Sequence, residues 1–143
     1  MSSLTLTSIP FLPPSPLWHL SLHPSGLGFL TTSSGIPVTS TPAASNAKHP
    51  YAGRVTIFGY SEPGTAPVIH GVLNGAGAVH TRTIRAASFA NRSRVLEVEG
   101  RKYVGGVVAA VGFEGICSLW RDLGTVDEEG MLEWHCVVQV REL

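Results

Sequence analysis

Glycine and proline punctuate this chain from end to end, and that punctuation limits its possible folds more than any other feature. The 16 glycines and 10 prolines among 143 residues do not gather in one linker; they separate short apolar runs. A helix interior tolerates neither residue well, whereas short strands joined by turns use both at their ends. The spacing therefore predicts many short strands, and no window of about ten residues repeats its apolar positions at helical spacing.

The pattern is tightest from residue 53 onward. In "GRVTIFGYS" (53–61) Val55 and Ile57 alternate against Phe58 and Tyr60, "APVIHGVLN" (66–74) is more continuously apolar, and "SRVLEVEG" (93–100) sets Leu96 and Val98 against Glu97 and Glu99. Between them "AVHTRTIRAASFA" (78–90) carries Thr and Ile that favour a strand. The run "KYVGGVVAAVGFEGICSLWRDL" (102–123) reads as two strands meeting near Gly112, and a last strand follows the acidic turn "GTVDEEG". Gly105, Gly106, Ala109 and Ala110 are small where a sheet would have to curve. The expected fold is an all-β, single-domain antiparallel β-barrel of about seven to nine short strands. Its regular strands occupy 51–143, and residues 1–50 supply an irregular arm, the first strands and a Ser/Thr/Pro-rich loop over 31–50.

A chain of this length can bury a core without disulfides or metal. Only 14% of its residues are charged against 43% hydrophobic, which leaves few charges to cover the outside and points to a homo-oligomer, a dimer first, or to a surface covered by a partner. Net charge is zero, which removes a global electrostatic case for nucleic acid or an anionic membrane surface. No apolar stretch of about 18 residues is uninterrupted. The N-terminal apolar residues lack a cationic start and are broken by Pro10, Pro13, Pro14 and Pro16, so the expected location is cytoplasmic. Cys117 and Cys136 sit in strand-like runs outside any C-x-x-C pair and read as free thiols.

Six histidines are scattered at 19, 23, 49, 70, 80 and 135. Only His19 and His23 are four apart, and they lie in an extended, proline-flanked stretch where that spacing does not converge on one metal, so neither metal nor cofactor is expected. Gly75-Ala76-Gly77 lacks the third glycine of a nucleotide loop, His80 standing in its place. Arg82, Arg85, Arg92, Arg94, Arg101 and Lys102 form a basic run with only Phe89 and Tyr103 as nearby aromatics. Pairing with the acidic residues from Glu114 to Glu142 explains it more simply than single-stranded nucleic acid does.

The last strand, "GMLEWHCVVQVREL", has two unlike faces: Leu132, Trp134, Cys136, Val138 and Val140 on one, Glu133, His135, Gln139 and Arg141 on the other. A carboxylate beside an imidazole can support general acid-base chemistry, and an outward solvated row is the alternative. Which of Trp134 and His135 points inward decides between them. The candidate acid-base residues are His135, Glu114 and His70; the candidate substrate-binding residues are Trp18, Tyr60, Tyr103, Trp120 and Trp134.

The segment "YVGGVVAAVGFEGICSLW" with the strand that closes the chain resembles, over about 40 residues, the end of allene oxide cyclase and dirigent-type barrels. There a glycine-rich strand and a G-x-F-E-G-like turn precede the final hairpin. The resemblance implies a calycin-like barrel that folds or cyclises a reactive apolar substrate by shape, positioning and exclusion of water. The expected function is thus binding of an apolar or aromatic small molecule, with cofactor-independent cyclisation or isomerisation as its possible chemistry. The alternatives are a non-enzymatic oligomeric assembly module and an OB-type nucleic-acid binder.

Overall fold

The computed structural model describes residues 17–33, 54–60, 65–73, 79–80 and 83–141, and these described residues form ten β-strands. The first four strands, β1 (Leu17–Leu22), β2 (Gly28–Ser33), β3 (Val55–Gly59) and β4 (Val68–Leu73), pair in that order as an antiparallel meander. A second sheet takes β5 (Ile84–Phe89), β8 (Val107–Gly112), β9 (Ile116–Val126) and β10 (Leu132–Arg141), in the order β10-β9-β8-β5. Between β5 and β8 the chain leaves to form a two-stranded ribbon, β6 (Val95–Val98) with β7 (Arg101–Val104). Neither sheet closes on itself, so the all-β antiparallel expectation holds without a closed barrel. Edges of the two sheets nevertheless meet, β1 lying by β5 and β4 by β10. Among the described residues no helix is long and apolar enough to cross a membrane.

Alternation along the strands produces the core. Leu30, Val55, Ile57 and Leu73 from the first sheet join Ile84, Phe89, Val108, Ala110 and Trp120 from the second in one buried cluster. Each large aliphatic or aromatic side chain withdrawn there contributes about 1.5–3 kcal/mol. Trp134 and Cys136 of β10 pack against the same cluster.

The run expected as two strands forms three. At Gly105 and Gly106 the backbone leaves the ribbon and enters the second sheet, held by side chains and by a neighbouring segment. The amide of Gly106 donates to Asp122 Oδ2 at 2.6 Å, that of Val107 to Ser93 Oγ at 3.1 Å, and that of Gly105 to the Arg94 carbonyl at 3.0 Å. The β6–β7 turn is made by Glu99 and Gly100, both with positive φ, as a two-residue hairpin twisted to match its strands requires.

On β10 the two-faced pattern is interrupted. Cys136 opposes Trp120 but Val138 already opposes Leu119, so Val137 is an extra residue and the alternation slips by one. Upstream of the bulge Leu132, Trp134 and Cys136 turn toward the core. Beyond it Val138 and Val140 are exposed, at 49% and 61%. The apolar face expected to run unbroken from Leu132 to Val140 is therefore shared between the two sides of the sheet.

Candidate functional site

A cavity of about 720 Å³ opens where the start of β4 and the β7 strand come together. Its walls are Leu27 ahead of β2, Tyr60 after β3, Val68, Ile69 and His70 of β4, residues 100–104 of the ribbon with Val95 opposite, and Glu129 and Gly130 of the β9–β10 turn. Volumes between about 300 and 1,000 Å³ suit a drug-sized ligand. Tyr60, His70 and Tyr103, picked out separately in the sequence, meet here.

His70 is held from three sides. The Val104 amide donates to its Nδ1 at 3.2 Å, Tyr103 stacks at a tilt with ring centroids 5.1 Å apart, and its ring covers Gly59 so closely that a Cβ there would overlap it. Because Nδ1 accepts from an amide, the ring proton of the neutral imidazole sits on Nε2. Burial, to 8% exposure, also pushes the His70 pKa below the ordinary 6.5. His70 is accordingly a neutral donor with its lone pair already used, which suits it to polarise an oxygen and not to remove a proton.

The other walls are fixed with equal economy. Tyr103 donates its hydroxyl to the Gly130 carbonyl at 3.1 Å. That turn is itself tied by Asp127 Oδ1, which accepts from the amides of Glu129 and Met131. Tyr60 donates its amide to the Leu27 carbonyl at 3.0 Å and lies 5.9 Å from the Phe29 ring. Arg101 and Lys102 are exposed at the rim, Lys102 paired across the ribbon with Glu97 in register.

The remaining candidates lie elsewhere. His135 is exposed on β10, opposite Arg121, while Trp134 turns inward and lays its indole over Gly71 of β4. Trp134 Nε1 is buried with no hydrogen-bond partner among the described residues. Glu114, at the β8–β9 turn, accepts from His80 Nδ1 at 2.6 Å. His80 Nε2 accepts in turn from Ser118 Oγ at 2.6 Å, and that oxygen receives Trp120 Nε1–H at 2.8 Å. A carboxylate only accepts, so the chain of donors runs from Trp120 through Ser118 to His80, and from His80 to Glu114. The atom pairing matches that of a hydrolytic triad. Burial decides against that use: His80 is 0% and Ser118 1% exposed, so the hydroxyl meets no substrate and the array ties residue 80 to the β8–β9 hairpin. Trp18 lies on β1, and its side chain falls outside the described residues.

Sequence reasoning passed over His80 and Ser118, which stand 38 residues apart, because no local spacing links them. It also passed over His23. That ring donates Nε2–H to the Gly105 carbonyl at 2.9 Å and accepts the Ser25 amide at Nδ1, pinning the β1–β2 turn to the ribbon. Among the described residues no group of three or more His, Cys, Asp or Glu is placed to hold a metal ion. Burial raises the pKa of the Cys136 thiol, and Cys117 is exposed; both are free.

No protein-family model matches this chain, and no curated protein is similar to it.

Proposed function

We propose that the protein binds an apolar or aromatic small molecule in the cavity between β4 and β7. The observation that carries this reading is the convergence of Tyr60, His70 and Tyr103 on one ligand-sized space whose other walls include Leu27, Val68, Ile69 and Val95. A mainly apolar cavity with a few placed polar groups is what ligand sites usually contain. Chemistry on such a ligand would be cofactor-independent isomerisation or cyclisation, in which His70 Nε2–H polarises a carbonyl and the walls hold the reactive conformer. In this reading β1 beside β5 and β4 beside β10 mark two seams of one eight-stranded barrel of the allene-oxide-cyclase or dirigent kind, with the cavity at its mouth.

Titration with N-phenyl-1-naphthylamine, a neutral dye that brightens in apolar surroundings, tests the proposal. Binding by the native protein and its loss in Ile69→Trp, which fills the cavity from an exposed wall position, supports it. No binding, or equal binding by both proteins, overturns it.

A second reading, assembly into a homo-oligomer, is favoured by the outward side of the second sheet. There Ala109, Leu119 and Val138 form one cross-strand row and Val111, Cys117 and Val140 the next, all exposed. A contiguous apolar face of this kind suits an isologous contact with a second copy. Light scattering at micromolar concentration should find a dimer that Leu119→Lys dissociates; a monomeric native protein removes this reading.

A further inference from the structure

The cavity's polar lining is unbalanced in hydrogen-bonding sense. Among the described lining residues His70, Tyr60, Arg101 and Lys102 carry hydrogen-bond donors, and Glu129 is the one carboxylate. The Tyr103 hydroxyl has given its proton to the Gly130 carbonyl and keeps only acceptor capacity, while His70 Nδ1 is taken by the Val104 amide. Both cations lie on β7, and Val68, Ile69 and Leu27 line the cavity with them. A bound molecule must satisfy donors it desolvates, because each one left unpaired costs affinity.

We infer that the ligand is an anion of amphipathic form, an apolar or aromatic body ending in a carboxylate or similar oxyanion that faces Arg101 and Lys102 and accepts from His70. This rests on the small-molecule reading above and gives its ligand a chemical class. Arg101 offers a planar fork suited to two oxygens of one carboxylate or sulfonate. His70, kept neutral, adds a donor without the cost of burying a third charge. Glu129 at the rim, and Glu97 across the ribbon from Lys102, oppose the anion and set an upper limit on the preference.

Two dyes with one aromatic skeleton separate the claims: N-phenyl-1-naphthylamine, which is neutral, and 8-anilinonaphthalene-1-sulfonate, which adds a sulfonate. The sulfonate dye should bind about tenfold more tightly, as one charge-assisted hydrogen bond implies. Arg101→Gln with Lys102→Gln should remove that advantage, bringing the sulfonate dye's affinity down to that of the neutral dye measured on the same variant, and Glu129→Gln should increase it. All three substituted residues are exposed, so the variants test binding without disturbing the core. If the neutral dye binds and the sulfonate gives no advantage, the anion inference fails and the cavity reading stands. A sulfonate advantage that survives the double substitution places the anion elsewhere and also overturns the inference. Failure of the neutral dye to bind overturns the cavity reading itself.

Discussion

Replacing Gly59 with alanine tests the architecture of the site from a residue that does not itself line the cavity. The new Cβ would overlap the His70 ring, and the ring has little room to retreat, being hydrogen-bonded to the Val104 amide and stacked on Tyr103. Either the ring leaves its seat and a buried amide loses its acceptor, at about 1–3 kcal/mol, or β3 and β4 spread to accommodate the methyl, at a similar about 1–3 kcal/mol. Alanine recovers about 0.5–1 kcal/mol by restricting the unfolded chain. The balance is a loss of about 1 kcal/mol, which in a domain of this size lowers Tm by about 2–4 °C. Urea denaturation of Gly59→Ala, His70→Ala and the double variant measures the coupling. With the ring removed, the methyl should cost nothing. If Gly59→Ala is equally destabilising with and without His70, the imidazole is not seated against that backbone, and the account of its fixed tautomer is wrong.

Burial holds the pKa of both His23 and His70 below the ordinary 6.5, so through the interval beneath 6.5 the unfolded chain binds more protons than the folded one. Their contribution to stability is full above 6.5 and is lost as pH falls toward the lowered values; Tm should drop between pH 7 and pH 5, and His23→Gln with His70→Gln should flatten the curve. Ser118→Ala takes one hydrogen-bond partner each from the Trp120 indole and His80, both buried, and should cost about 2–3 kcal/mol in chemical denaturation; an unchanged midpoint would mean that the array does not stabilise the fold. His135→Ala, on an exposed position of β10, should change stability by less than about 0.5 kcal/mol and leave dye binding as it was, and a lost signal would bring the end of β10 back into the site.

The existence of strands over 55–59, 68–73, 84–89, 95–98 and 132–141 was legible because alternation and turn residues are local signals, repeated every second residue or fixed at a hairpin. Tyr60, His70 and Tyr103 were legible as chemical types, but not as neighbours. They lie just after β3, on β4 and on β7, and what unites them is the approach of β7 to β4 across some thirty intervening residues. Trp134 and His135 pose the orientation question in the sequence, since one must face in if the other faces out, and packing against Gly71 answers it in favour of Trp134.

By itself the sequence determined an all-β antiparallel chain of short elements, because the positions of glycine, proline and alternating apolar residues act over a few residues at a time. The tertiary structure alone decided where the alternation slips, at Val137, and therefore that Val138 and Val140 face away from the core. It also decided that His80 and Ser118 are buried in a hydrogen-bonded array with the partly exposed Glu114, while His70 becomes the neutral donor in the cavity wall. Both outcomes depend on burial and on which backbone amide or side chain lies opposite an imidazole, and those partners are supplied by strands distant in the chain.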